Sequence, residues 1–179
     1  MGMMKQRQKD LEQFLYHDIE DEAEEYLAVS LPLIGAVVMN FNGLESELDS
    51  ALCETFSDRS DTLGLLVLHK MQYAKKVDLF RRFCDDFHRA IAEENEFYPE
   101  LISKLKEVGK LRNVVVHADW ESTDDEGFTF VRIQISKHGI KQEYIQFSQD
   151  SLDKVIDLIG ETRQQLENYW RKRGEILAS

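Results

Sequence analysis

The sequence predicts a mainly α protein, an up-and-down helical bundle of four to five long helices with one β-hairpin insertion. Three observations lead there. Two prolines and nine glycines are all the strong punctuation in 179 residues, so long helices with few breaks are expected. Apolar residues recur at three- and four-residue steps over most of the chain, the period of a helix with one buried stripe. Residues 126–147 instead read as two strands joined around Lys137-His138-Gly139, which makes that stretch a hairpin.

Taken in order, a first helix is expected over residues 5–27, with Leu11, Phe14, Leu15, Ile19, Tyr26 and Leu27 as an incomplete apolar stripe. Together with the following turn it makes residues 1–29 an acidic N-terminal helix. Ser30 offers an N-cap hydroxyl and Pro32 suits a first turn, so a second helix runs to Phe56. Its inner face is Ile34, Val37, Val38, Phe41, Leu44, Leu48 and Leu52. After the polar loop at 57–61, a third helix extends from Thr62 to about Ala92, burying Leu63, Leu66, Val67, Met71, Ala74, Val77, Phe80, Cys84, Phe87 and Ile91. Pro99 opens a fourth, which turns Leu101, Leu105, Val108, Val115 and Val116 inward and ends near His117. A polar turn at 122–127 leads into strands at 128–136 and 140–147. Ser148 or Asp150 then caps a last helix reaching Arg173, with Leu152, Val155, Ile156, Ile159, Leu166, Tyr169 and Trp170 inside. No repeat or long linker divides the chain, so residues 1–179 are expected to form a single domain.

Charge limits what the protein can bind. Lys and Arg number 22 against 34 Asp and Glu, a formal charge of -12. A protein that coats nucleic acid concentrates basic residues to displace phosphate counterions, so any RNA or DNA role here must be local. Residues 1–60 carry 4 basic and 13 acidic groups, residues 61–118 carry 10 and 9, and residues 119–179 carry 8 and 12. The middle alone is balanced. The acidity peaks between Asp18 and Glu25, which reads as the solvated side of a helix or as a docking surface for a basic partner. From Leu27 to Leu44 no residue is charged. A transmembrane span is nevertheless not expected, because Ser30, Pro32, Asn40 and Asn42 dilute the stretch and no basic flank follows; a helix surrounded by its neighbours explains it. Two cysteines, Cys53 and Cys84, and a start without an apolar leader point to the cytoplasm.

The fourth helix breaks its own pattern at Arg112-Asn113-Val-Val-Val-His117. At about 100° per residue, Arg112 falls within the stripe of Leu101, Leu105, Val108 and Val115. A guanidinium there is costly unless it is paired or lines a polar cavity or interface. Asn113 and His117, four apart, share a flank where their side chains can touch. An imidazole moves protons near neutral pH, and a guanidinium holds phosphate with permanently charged donors. In RNA the 2′-hydroxyl is a built-in nucleophile, so a base and a cation suffice for cleavage without a metal. One Arg and one His make a sparse site, which an isologous dimer would double.

These residues resemble the R-x4-H motif, with a polar residue directly after the arginine, of the HEPN superfamily (higher eukaryotes and prokaryotes nucleotide-binding). The resemblance implies a helical bundle and a metal-independent endoribonuclease, often a toxin or phage-defence protein, whose motif sits at a late helix end and forms a composite site in a homodimer cleft. It implies His117 as acid or base, Arg112 as phosphate clamp and Asn113 as orienting group, with no cofactor and no metal. RNA would be the substrate, and an antitoxin or other protein a partner. The hairpin is not part of the common core and looks like an insertion. A catalytically silent HEPN-like bundle that binds a protein or nucleotide is the alternative.

Each residue also has a plainer reading. Arg112 would pair with Glu45 or Glu47 on the second helix; His117 would answer the helix dipole. Asp119 and Trp120 would orient the histidine and wall the cleft, or close the helix end. Lys104, Lys106 and Lys110 would guide a phosphate backbone or be solvated surface. Arg81 and Arg82 with His88, and Arg132 with His138, imitate the motif at looser spacing. The first set stands beside Asp85 and Asp86, and Arg132 lies on an expected strand. Zinc-finger cysteine pairs, Glu-x-x-His pairs, phosphate-cradling glycine loops and G-x-S-x-G elbows are all absent from the sequence.

Overall fold

The computed structural model describes residues 4–11, 21–56, 61–91, 98–124 and 126–178. In chain order they form β1 (Gln6–Asp10), α1 (Asp21–Phe56), α2 (Thr62–Leu68), α3 (Tyr73–Ile91), α4 (Tyr98–His117), β2 (Asp119–Thr123), β3 (Phe128–Ser136), β4 (Gly139–Gln146) and α5 (Gln149–Leu177). The protein is mainly helical with a small antiparallel sheet of order β1-β4-β3-β2. Two compact units divide the chain, one of Met1–Val38 with Leu111–Ile156, the other of Met39–Lys110 with Asp157–Ser179.

The first unit holds the sheet. β3 and β4 are its inner strands, in register from Phe128↔Gln146 to Ser136↔Gly139, with an irregularity between Phe130 and Arg132. Gly139 has φ 122, which side-chain-bearing residues rarely adopt and which lets the chain reverse after Lys137 and His138. Phe128, Tyr144, Ile145 and Phe147 are buried here, as are Leu152 and Val155 of α5. Glu143, 3% exposed, accepts hydrogen bonds from Arg132 Nε at 2.5 Å and Gln134 Nε2 at 2.7 Å, so its charge is not left unmatched. Ser148 caps α5 as expected: its Oγ accepts from the Ser151 N–H at 3.2 Å, and Ser151 Oγ returns a bond to the Ser148 carbonyl at 2.8 Å.

The second unit is built from helices. Leu44, Leu48 and Leu52 of α1, Val77, Phe80 and Cys84 of α3, Leu101, Leu105 and Val108 of α4, and Ile159 and Leu166 of α5 are buried. Lys76 is 7% exposed and donates to Glu45 Oε1 at 2.8 Å and Asp49 Oδ2 at 2.7 Å. Tyr73 donates to the Leu105 carbonyl at 3.1 Å.

Several expectations are corrected. Residues 6–10 form a strand instead of the first turns of a helix. Their own sequence is polar and carries no helical stripe. β4 recruits them through pairing from Gln6↔Ile145 to Asp10↔Lys141, and Arg7 lies 3.9 Å over the Phe128 ring while bonding Asp124 and Glu126. Phe14, Leu15 and Ile19, the loop at 57–60 and the end of the expected third helix beyond Ile91 lie outside the described residues, as does part of the acidic run. Glu24 and Glu25, its last members, are exposed.

No helix starts at Ser30, which is 1% exposed in the interior of α1. Pro32 removes the bond that would serve the Ala28 carbonyl, but Ala28 and Pro32 are both exposed, where water replaces it. Nor is the uncharged stretch surrounded. α1 is long and apolar enough to cross a membrane, yet 22% of its apolar window is buried, and Val29, Leu31 and Met39 are exposed. Only the positions in helical phase with Ser30, Val37, Phe41 and Leu44 turn inward.

The expected third helix is two helices, separated by a turn in which Lys70 has φ 63. Leu63, Leu66 and Val67 are exposed and Gly64 and Leu68 buried. The glycine sets this phase, because a Cβ on it would stand 2.6 Å from Cys53 Sγ. The expected hairpin is present, but β1 and β2 flank it on either side, so it is the middle of a sheet.

Candidate functional site

The last turns of α4 and the strand that follows carry the motif. Leu111, Val115 and Ala118 are 5%, 0% and 9% exposed and seat this segment in the first unit. Arg112, next in phase, is half-buried, as are Val114 and Val116. Asn113 and His117 are exposed, four residues apart on one flank. The Arg112 guanidinium donates from Nη1 to Asn113 Oδ1 at 3.1 Å. The asparagine thus holds the arginine, and its Oδ1 is the atom that does so. His117 is the final helical residue.

The chain leaves α4 through Ala118 into β2. Trp120 is half-buried; its Nε1 donates to the Val115 carbonyl at 2.9 Å, and its ring lies 4.9 Å from that of Phe147. It therefore satisfies one of the helix's terminal carbonyls, which have no partner inside the helix. Asp119 is exposed and accepts from Ser122 Oγ at 2.8 Å. Thr123 donates to the Trp120 carbonyl at 2.8 Å and shares a buried bond of 3.0 Å with Thr129. These bonds fix β2 against β3, where the register is irregular and pairs Asp119 with Phe130 and Thr123 with Thr129.

Lys106 and Lys110 belong to the second unit and are exposed. Lys104 is instead engaged with Glu100 at 3.2 Å and Glu161 at 3.6 Å. The acids considered as partners for Arg112 have cations of their own: Glu45 binds Lys76, and Glu47 accepts from Arg163 Nε at 2.6 Å.

The imitations of the motif are occupied elsewhere. Arg81 pairs with Asp78 and Asp85, and Arg82 with Asp78. His88 Nε2 lies 2.9 Å from Tyr169 Oη, and Arg132 serves Glu143. Burial pushes the Cys84 thiol up to about 12, against an opposing bond from Tyr169, so it stays protonated at neutral pH. Among the described residues, no group of three or more His, Cys, Asp or Glu is placed to hold a metal ion.

Sequence reasoning missed two buried charge clusters. The Glu45–Asp49–Lys76 cluster had a signal in the four-residue step from Glu45 to Asp49 and in Lys76 lying in phase with Phe80. The Arg132–Gln134–Glu143 cluster had none, since it depends on strand register. No protein-family model, curated protein or solved structure matches the chain.

Proposed function

We propose that the protein is an endoribonuclease of HEPN type that works without a metal, with Arg112, Asn113 and His117 from two chains forming one site in a homodimer. The observation that carries this reading is the pairing of roles at the end of α4: an exposed imidazole, and a half-buried arginine tied to the asparagine beside it. An arginine bonded to a neutral amide keeps its full charge, which is what a phosphate binds.

In the reaction, one His117 takes the proton of an RNA 2′-hydroxyl. The 2′-oxygen attacks phosphorus, the bond to the 5′-oxygen breaks, and the second His117 protonates that leaving oxygen. The products are a 2′,3′-cyclic phosphate and a free 5′-hydroxyl. Arg112 binds the non-bridging oxygens as negative charge builds on them. Lys106 and Lys110 guide the strand towards His117, and Asp119 and Trp120 border the site. Such an enzyme would act in the cytoplasm as a toxin or phage-defence protein, restrained by an antitoxin or other partner.

One observation favours a second reading, a catalytically silent module that binds a protein or nucleotide. Asn113 Oδ1 is spent on Arg112 and Trp120 on the helix end, which are structural tasks. Incubating pure protein with single-stranded RNA in EDTA separates the two. The enzyme cleaves there, and His117→Ala reduces the rate by roughly a hundredfold or more, as loss of a general acid–base does. Intact RNA with well-folded native protein supports the silent module.

A further inference from the structure

The β3–β4 hairpin runs on past the buried part of the sheet. Thr129, Ile145 and Phe147 at its base are buried, but no residue from Val131 to Lys141 is. Ile135 and Ile140 are Cα partners, so their side chains stand together on one face, 79% and 41% exposed. Leu11 extends the register of β1 beside them, its N–H donating to the Ile140 carbonyl at 3.0 Å. Ile133, half-buried, lies two residues inward of Ile135 on the same face. The sheet therefore ends in an apolar row that three of its strands share.

Charge is divided unequally between the two faces of these strands. Residues 5–11 and 128–147 hold six bases against two acids, Asp10 and Glu143, a net of +4 in a chain of -12. Side chains alternate between faces, and the register puts both acids opposite the isoleucines. There Asp10 lies 4.0 Å from Lys141, and Glu143 pairs with Arg132. On the isoleucine face Lys9 stands level with Gln142 and Ile133. It is exposed, its ammonium 5.1 Å from the centre of the Tyr144 ring on that face. Lys137 and His138 form the exposed turn just beyond the isoleucine pair. β1, β3 and β4 place no carboxylate on the isoleucine face.

An apolar end with bases beside it and no acids on its face suits an anionic surface that has an apolar layer behind it. Charges act on such a surface only within a Debye length of about 8–10 Å, so the bases at the hairpin end decide the contact and the net charge of the whole chain does not. Single-stranded RNA is anionic too, but it is held by aromatic rings stacked on its bases, and aliphatic side chains offer it nothing. A bilayer uses both features: apolar side chains enter its interface while neighbouring lysines meet the headgroups. We infer that the end of the β3–β4 hairpin docks on an anionic lipid bilayer, with Ile135 and Ile140 entering the interface and Lys9 and Lys137 on the lipid headgroups. The contact is peripheral and reversible, and it is independent of the RNA reading.

Flotation of the full chain with vesicles tests it, with circular dichroism to check folding. The native protein floats with phosphatidylcholine vesicles that contain phosphatidylserine and stays behind with pure phosphatidylcholine, and added salt weakens the binding. Ile135→Thr keeps the β-branched shape that a strand favours and lowers the binding constant roughly fivefold or more. Lys137→Glu, in the exposed turn, lowers it roughly tenfold or more. A native protein that ignores phosphatidylserine, or either variant binding as well as the native chain, overturns the inference. So does binding that single-stranded RNA displaces and Ile135→Thr leaves unchanged, which is recognition of negative charge alone. Because the readout is vesicle binding, a protein that floats in this way and leaves RNA uncut sinks the proposed activity and not this contact.

Discussion

Cys84 shows what a single side chain's burial does to the pH behaviour of this protein. Burial raises its thiol from 9.0 to about 12, and burial also raises the hydroxyls of Tyr73, Tyr98 and Tyr169. A group whose folded pKa lies above its unfolded value contributes stability that is complete below the unfolded pKa and is lost as pH rises towards the folded one. Stability therefore falls above about pH 9, first through Cys84 and Cys53, whose thiol burial also raises, and, above about pH 10, through the tyrosines. One such group costs about 1.4 kcal/mol per pH unit, or roughly 2–4 °C in melting temperature for a chain of this size. Thermal melts from pH 7 to 11 should show this fall, and Cys84→Ala should flatten the part between about 9 and 10; a native curve flat to pH 11 would contradict it. Trp120 gives a second test. Trp120→Phe keeps an aromatic ring beside Phe147 but removes the donor to the Val115 carbonyl, and should cost about 1 kcal/mol in chemical denaturation. Helical phase put Arg112 within the apolar stripe of α4, where the structure shows it half-buried. Its bond to Asn113 was not legible, since neighbours in a helix point about 100° apart and only the reach of a long guanidinium joins them.

At the scale of elements, periodicity located helices well and their boundaries less well. α4 and α5 match because Pro99 and Ser148 stand at real starts, and the hairpin matches because its turn chemistry is local. α1 and α2 depart from expectation for reasons no local pattern holds. Pro32 is absorbed on the solvent side of a continuous helix, and Gly64 turns α2 so that its leucines face outward. The expected stripe of Leu63, Leu66 and Val67 was a true apolar stripe, assigned to the wrong side because a glycine contributes nothing to a count of apolar residues. Gly64→Ala tests that account. The added methyl would meet Cys53 at 2.6–2.9 Å, including the Cys53 backbone at 2.7 Å, and should destabilise the protein by about 1–3 kcal/mol in the denaturant midpoint. An unchanged midpoint would mean that α2 is not seated through this contact.

For the whole molecule, the mainly α class was legible and the sheet was only half so. β3 and β4 announce themselves through alternation and a turn. β1 is five polar residues paired with β4, and β2 is held by irregular pairing and side-chain bonds; tertiary partners make both strands. Net charge narrows the functional account in the same way. A chain of charge -12 could hold RNA only where its acids are few, and Asn113 and His117 are exposed at the end of α4. The central claim, that this helix end cleaves RNA through its 2′-hydroxyl, is tested most directly by identifying the ends of cleaved RNA. Single-stranded RNA incubated in EDTA with native protein and with His117→Ala is analysed by mass spectrometry. The account predicts 2′,3′-cyclic phosphate and 5′-hydroxyl ends from the native protein alone; uncut RNA, ends bearing a 5′-phosphate, or equal cleavage by His117→Ala would contradict it.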